Sequence, residues 1–397
     1  MEEKKFGISM KNSIIIGVAF VWFTTHFGGG FASGAQIFSY YLRFGVWALI
    51  MPILAMGYNA LYFSYALHFA KKHQLYDYRS YNNHFYGKYS KVFSNLFELL
   101  YVVIMLLPPA VAFATGGATM AALTGWPYML CTLIIGVFIF IIAIYGTTVV
   151  RKTASVLSVL IIVGLLVVYI PNIIAQWSQI TTNINASAKN TLNSEFFGNA
   201  LYSAFLYGTF QLANIAVFVQ HAEAFDSPKD SIKSNVLGWI INSLMMFMTV
   251  LGLFSIMNDP NISSNSVPVL SMTKQGVGST LFTPMISILI ILGAISTAVN
   301  MVAAMTKRIQ STVEDPKITR EAAKNGKPTK ISIIVTIIIC ILDFGVAQFG
   351  LIPLVGKGYS FIAYLAIPII TIPYIVHMIV TNFDRKNPPR VIEETTE

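Results

Sequence analysis

Long apolar runs divide this 397-residue chain and constrain its fold more than any other feature. About 20 apolar residues in a helix cross the ~30 Å hydrocarbon layer of a bilayer. Transmembrane barrel strands are shorter, at about 10 residues, and alternate in polarity, which these runs do not. The sequence therefore predicts an all-α membrane protein with ten transmembrane helices. The predicted helices cover residues 12–42, 45–70, 92–124, 127–147, 152–175, 196–221, 234–257, 279–306, 331–350 and 359–381.

The placement of charge predicts the orientation of these helices. The chain is 55% hydrophobic and 11% charged, and its net charge is +9. With the N-terminus in the cytoplasm, 22 of the 26 Lys and Arg residues fall on the cytoplasmic side, as the positive-inside rule describes. The four on the outside are Arg43, Lys189, Lys274 and Lys357. We expect a multi-pass protein of a cell membrane, with both termini in the cytoplasm and no nucleic-acid partner.

Motifs of enzymes and of cofactor sites are missing from the sequence. It contains no P-loop, no clustered nucleophile and base, and no metal-ligand spacing. Cys131 and Cys340 lie inside apolar runs and form no CxxC motif, which is typical of packing residues. We therefore expect a protein that is not an enzyme and has no cofactor.

The first apolar run contains Gly28-Gly29-Gly30, followed by Gly34. Each glycine costs a helix about 1 kcal/mol relative to alanine, so this run predicts a helix that unwinds near the bilayer midplane. A small-residue packing face explains Gly30 and Gly34 but not three consecutive glycines. Carbonyls freed before the break suit a cation, and amides freed after it suit an anionic ligand group. His26, just before the glycines, either titrates or is a satisfied histidine that donates to a backbone carbonyl.

The sixth run places Gly208 among aromatic and polar residues, from Phe205 to Gln211. Gly208 is either a second break or a packing glycine. If the chain consists of two inverted five-helix halves, at residues 1–180 and 190–397, the first and sixth runs occupy matching positions. Interrupted helices in matching positions are the best sequence indication of a transporter binding site.

Polar groups in the eighth and ninth runs suggest ion chemistry. Ser296 and Thr297 are adjacent hydroxyls one turn after Gly293, and such oxygens suit a small hard cation such as Na⁺. The alternative is that both hydroxyls bond to the preceding turn of their own helix. Asp343 lies within the ninth run and either pairs with a neighbouring helix or relays a proton.

Two external connections are long, at residues 176–195 and 258–278. Residues 267–274 form either a short helix that acts as a lid, with Ser266 as N-cap and Pro268 in the first turn, or an irregular loop.

Together these features resemble the amino acid–polyamine–organocation (APC) superfamily, whose LeuT-type fold has five plus five inverted helices, with the first and sixth unwound. The stretch from Gly28 to Gly34 looks most like the first span of the uncharacterised YkvI-type bacterial membrane proteins. In that pattern Gln-Glu follows, whereas this chain has Ala35-Gln36 and lacks the acid.

The resemblance implies the residues of two sites. A sodium site would use the carbonyls of Thr24, Phe27 and Gly293 and the hydroxyls of Ser296 and Thr297. The substrate would lie against Thr25, His26, Gly28, Gly29, Gly30, Phe205, Tyr207, Gly208 and Phe210. Some proton-coupled relatives replace sodium with a lysine on the fifth helix. The fifth run has no internal basic residue, since Arg151 and Lys152 lie at its start.

These observations lead to a Na⁺-coupled symporter of an amino acid, or a similar small zwitterionic or organic solute, as the leading hypothesis. The alternatives are a proton-coupled transporter or antiporter that uses Asp343 or His26, and a channel or sensor with a transporter-like fold.

Overall fold

The computed structural model describes residues 10–145, 147–324, 327–385 and 387–388, in which helices are joined by turns and short loops. Lys4, Lys5, Lys386 and Arg390, four of the basic residues predicted to be cytoplasmic, lie outside the described residues. The α-helices are α1 Met10–Phe27, α2 Gly30–Ser33, α3 Ala35–Tyr40, α4 Met51–His73, α5 Tyr78–Tyr86, α6 Ser90–Thr124, α7 Tyr128–Tyr145, α8 Thr147–Ala175, α9 Trp177–Thr191, α10 Ser194–Leu212, α11 Ile215–Phe218, α12 Asp230–Phe254, α13 Pro268–Gln275, α14 Ser279–Val313, α15 Pro316–Lys324, α16 Lys330–Ala347, α17 Leu351–Pro353, α18 Tyr359–Ala366 and α19 Ile372–Val380. Short 3₁₀ or π segments connect several of them, including Leu42–Leu49, Val219–Ala224, Leu354–Gly358 and Ile367–Thr371.

Seven helices of the described residues are long and apolar enough to cross a membrane. A bent pair, in which Leu42–Leu49 meets Met51–His73 at 73°, makes an eighth crossing if the pair is one span. Two shorter apolar helices, Asn12–Phe27 and Tyr128–Ile144, coincide with the first and fourth predicted runs. The architecture is thus all-helical and membrane-spanning, while the count of ten crossings and the division at residues 1–180 and 190–397 stay predictions.

The long helices pack in two groups around the broken first span. α4 packs against α12 and α10, and α1 packs against α12. In the second group α14 packs against α6, α7, α8 and α16. α1 also touches α14, so the two groups meet at the end of the first helix. Large apolar side chains such as Ile174 and Ile341 are 70% and 63% exposed on the outer surfaces, where the solvent is lipid.

Both long connections contain a helix. Residues 177–191, within the predicted connection 176–195, form the helix α9. In the second connection the helical alternative is confirmed, because Pro268–Gln275 is α13. Its N-cap is Val267, without a side-chain cap bond, so the predicted Ser266 cap was wrong. α13 lies over the first span, since a Cβ added at Gly34 would lie 2.9 Å from the Val269 side chain.

A strap after α19 ties the end of the last helix to α4. Three consecutive non-glycine residues, Asn382, Phe383 and Asp384, have φ of 51°, 54° and 61°. The left-handed region costs such residues about 1–2 kcal/mol each. The buried Asp384 carboxylate holds the strap, at 3.0 Å from Lys72 Nζ and 2.9 Å from His73 Nε2.

Candidate functional site

The first span is interrupted twice, at the glycines that the sequence singled out. α1 ends at Phe27, the chain turns at Gly28 and Gly29, and α2 starts at Gly30. Gly34, with φ of 85°, separates α2 from α3. α2 is a single turn of four residues, so its dipole is small. A role for its amides in binding a carboxylate stays a prediction.

Gly28 lies at the closest contact between the first span and α14. A Cβ added there would lie 1.7 Å from Thr297 Oγ1 and 2.3 Å from the Gly293 carbonyl oxygen. Contacts under 3.0 Å are essentially never seen for real Cβ atoms. Only glycine therefore allows the two backbones to come this close.

This contact brings together most of the residues predicted for the cation site. The Thr297 hydroxyl donates to the Thr24 carbonyl across 3.4 Å. The Phe27 ring lies against Gly293, since a Cβ added at Gly293 would lie 2.9 Å from Phe27 Cδ1. Ser296 precedes Thr297 on α14 and is half-buried. Oxygens from α1 and α14 thus converge beside the break.

A small central cavity of about 20 Å³ lies next to this contact, with room for about one water molecule. Four of the predicted substrate residues line it: Thr25, His26, Gly29 and Phe210. It is also lined by Thr297, so it adjoins the candidate cation site. A solute of amino-acid size fits only if the cavity widens.

Three of the other predicted substrate residues, Gly30, Phe205 and Gly208, are not among the described residues that line this cavity. Gly30 packs toward Val355, whose side chain would lie 2.5 Å from an added Cβ. Phe205 and Gly208 lie against Tyr58 of α4, and neither is among the described residues that line the central cavity. The structure therefore does not bring Phe205 and Gly208 to the central cavity, and their contact with a substrate stays a prediction.

The sixth span is not interrupted at Gly208. α10 runs through Gly208 to Leu212, and the packing alternative for this glycine holds, because a Cβ there would lie 2.6 Å from the Tyr58 ring. The helix tightens into a turn only at Ala213 and Asn214, where Asn214 N donates to the Gln211 carbonyl. The prediction that this span unwinds at Gly208 was therefore wrong. The helix is interrupted instead at Ala213 and Asn214, by a tight turn without glycine.

His26 belongs to a buried chain of hydrogen bonds next to the cavity. Its Nδ1 lies 2.7 Å from Asn242 Oδ1 and its Nε2 lies 2.5 Å from the Tyr207 hydroxyl. Tyr207 in turn donates to Gln36 Oε1 at 3.0 Å. The Gln36 amide and the Tyr359 hydroxyl both lie beside Gly29, at 3.5 and 3.0 Å from a Cβ added there. Both ring nitrogens of His26 therefore have side-chain partners on other helices.

Sequence reasoning missed three site residues: Gln36 and Asn242 of this chain of hydrogen bonds, and Tyr359 of the cavity wall. Gln36 stands two residues after Gly34, at the place where the sequence lacks the acid of the YkvI-type pattern. Asn242 is a polar residue inside an apolar run, which was an available signal. Tyr359 carried no such signal, because aromatic residues are common in membrane helices.

Aromatic rings separate the central cavity from a wide vestibule. This aromatic lid consists of Tyr40, Phe210 and Tyr359, with centroids 6.2 Å apart for Tyr40–Phe210 and 4.4 Å for Phe210–Tyr359. The Tyr40 hydroxyl donates to the Val355 carbonyl at 3.2 Å. The vestibule beyond the lid has a volume of about 870 Å³ between α3, α10 and residues 352–364.

Asp343 lies apart from this site, on α16. Its side chain is 0% exposed, and neither carboxylate oxygen has a hydrogen-bond partner among the described atoms. It is not among the described residues that line the central cavity. The structure thus places the proton-relay candidate in a separate location.

A family model described as amino acid permease matches residues 13–394. The chain belongs to the amino acid permease family. This family is part of the APC superfamily, so the protein is a secondary transporter of a small-molecule substrate and not an enzyme. The closeness to the YkvI-type proteins stays a prediction.

Two solved transporters resemble this permease. One is a substrate-bound, outward-open Na⁺-coupled sialic acid symporter, at 14% identity and TM-score 0.52, covering 90% of this chain and 86% of that one. The other is MhsT in complex with L-phenylalanine, at 12% identity and TM-score 0.56, covering 90% and 89%. At these identities the similarity shows a shared LeuT-type fold. No curated protein sequence matches the permease significantly.

Proposed function

We propose that this permease is a Na⁺-coupled symporter of an amino acid, or a similar small zwitterionic or organic solute, that works by alternating access in a bacterial cell membrane. The main support is the approach of the Thr297 hydroxyl on α14 to the Thr24 carbonyl on α1, at 3.4 Å. Carbonyl and hydroxyl oxygens are the ligands that small hard cations prefer.

Sodium would change the bonding at this contact. The Thr297 hydroxyl now donates its proton to the Thr24 carbonyl. With Na⁺ bound, both oxygens would turn lone pairs to the ion, and the carbonyls of Phe27 and Gly293 and the Ser296 hydroxyl would complete the set. The ion would join α1 to α14 and hold the break at Gly28 in one geometry. Sodium and substrate would then favour each other's binding, because both need the same arrangement of the break.

The aromatic lid would control access to the central cavity. The cavity now has a volume of about 20 Å³, so a substrate would enter after Tyr40 and Phe210 separate. Thr25, Gly29 and Phe210 would then contact the substrate. The two solved transporters that share this fold are consistent with the proposal. One is named as Na⁺-coupled, and the other contains L-phenylalanine.

A thermal-shift screen tests the proposal directly. Amino acids are added to the purified permease with and without Na⁺, since a ligand that binds the folded state raises its thermal midpoint. We expect stabilisation by the substrate to need sodium. In the double variant with Ser296→Ala and Thr297→Ala, the sodium concentration for half-maximal binding should rise at least tenfold, or ~1.4 kcal/mol.

Ser287→Ala is the matched control, because it removes another buried hydroxyl of α14, which bonds to its own helix at Thr283. Its sodium dependence should equal that of the native permease. Uptake that is unchanged in sodium-free buffer would contradict sodium coupling.

Asp343 supports proton coupling as the second candidate. A buried carboxylate without partners is far more stable when protonated, so its proton is available for exchange when the surroundings change. His26, the other predicted candidate, has both nitrogens bonded. Under this mechanism uptake would follow the pH gradient and be lost in Asp343→Asn, while Asp259→Asn in an external loop would have no effect. Uptake by Asp343→Asn at the native rate would rule out this role.

A further inference from the structure

The vestibule is the part of the permease that a solute meets before the aromatic lid. Its volume is about 870 Å³, against about 20 Å³ for the central cavity. A solute of amino-acid size therefore fits in the vestibule in this conformation but not beyond the lid. The side chains of the vestibule act on every solute that reaches the lid from this side.

The charged side chains among the described residues that line the vestibule are both positive. They are Arg43 and Lys357, and both are exposed. The sequence places only four basic residues on this face, so two of the four share one cavity. Glu195, in the first turn of α10, and Asp259, in the loop after α12, are acids of the same predicted face and are not among its lining residues.

Both cations lie close to the contact that closes the lid. Arg43 lies three residues after Tyr40, the last residue of α3. That hydroxyl donates to the Val355 carbonyl, two residues before Lys357. A solute that bridges the two cations would thus be held directly over the lid.

The central cavity has no negatively charged side chain that would repel an anionic solute, among the described residues that line it. The described residues that line it include no Asp or Glu. A negative solute that passes the lid therefore meets hydroxyl, amide and ring groups, and its charge is not repelled by a fixed carboxylate.

We propose that the transported solute is an organic anion of amino-acid size, selected at the vestibule by Arg43 and Lys357. This inference rests on the proposed transport function and narrows its substrate class. A cleft lined by one sign of charge, with low-dielectric walls, raises the on-rate of opposite charges by about 10- to 1,000-fold. The same field disfavours cations, and salt weakens it, because the Debye length is about 8 Å at physiological ionic strength.

Acid and amide pairs provide the test, because their members match in shape and differ by one charge. Glutamate is compared with glutamine, and aspartate with asparagine, by thermal shift in the presence of sodium. We expect the acids to stabilise the permease at concentrations at least tenfold lower than the amides. Raising NaCl from about 50 to 500 mM should reduce this preference in the native protein.

Single substitutions test whether Arg43 and Lys357 cause the preference for acids over amides. Arg43→Gln and Lys357→Gln should each lower the acid preference several-fold without changing the midpoint of the ligand-free protein, since both side chains are exposed. Lys189→Gln removes an exposed cation of α9 outside the vestibule and should keep the native preference. The salt series on native protein gives an answer even if a variant fails to fold.

Two results would overturn the inference. Sodium-linked binding of glutamine or lysine in preference to the acids would exclude an anionic substrate and leave the proposed symport intact. Absence of sodium-linked binding for every compound would overturn both the inference and the proposed function.

Discussion

At Gly28 the first span passes so close to α14 that no side chain fits between them. One of the atoms that a Cβ would meet is the Gly293 carbonyl, which belongs to the backbone and cannot rotate away. The oxygens of Thr24 and Thr297 can therefore approach each other only because residue 28 carries a hydrogen atom instead of a methyl group.

We predict that Gly28→Ala abolishes sodium-linked binding and destabilises the permease by about 1–3 kcal/mol, the usual cost of overpacking. Gly17→Ala is the control in the same span, because nothing lies within 4 Å of a Cβ added there. It should be neutral or stabilising, since glycine inside a helix costs up to ~1 kcal/mol. Thermal midpoints with and without Na⁺ measure both effects. Normal sodium-linked binding in Gly28→Ala would contradict the proposed cation site.

Among the elements, the strap of residues 382–384 persists in an unfavourable conformation because its carboxylate is anchored. Burial alone would raise the pKa of Asp384, but hydrogen bonds from His73, Lys72 and Asn387 outweigh burial and lower this pKa to about 2. The stabilisation by this carboxylate is therefore fully present above the pKa of unfolded aspartate, ~3.9, and is lost as the pH falls toward 2.

Asp384→Asn should destabilise the permease by roughly 3 kcal/mol, because it leaves Lys72 and His73 without their buried partner. Asn382→Gly lies in the same turn, adopts a left-handed backbone readily, and should leave the thermal midpoint unchanged or raise it. We expect the difference between these variants to shrink as the pH falls toward 2, where the native Asp384 carboxylate becomes protonated. Equal midpoints for Asp384→Asn and the native protein would show that the carboxylate does not anchor the strap.

For the whole molecule, the sequence was sufficient to predict the features that composition determines. It was insufficient to predict which faces of the helices pack against one another. Long apolar runs predicted the helical membrane fold, and the glycines predicted the break after Phe27. The turn at Asn214 and the partners of His26 were not predictable, because runs that are apolar on every side do not reveal which faces pack. Helix α9 was missed for another reason, since its polar sequence resembles a loop.

The predicted orientation is testable with cysteine labels, since native Cys131 and Cys340 are both buried. Lys189→Cys should react with a membrane-impermeant maleimide in intact cells, whereas Lys317→Cys should react only after the membrane is opened. Both positions are exposed, so a difference reports the side of the membrane and not burial. Reaction of Lys317→Cys in intact cells would reverse the orientation.

The size of the vestibule also has a pharmacological consequence. Its volume of about 870 Å³ lies within the range of cavities that accept drug-sized molecules, ~300–1,000 Å³. A rigid compound that fills it and is too bulky to pass Tyr40 would occupy the route without being carried. Such a compound would act as a non-transported blocker, and it would trap the protein in the state that the structure shows.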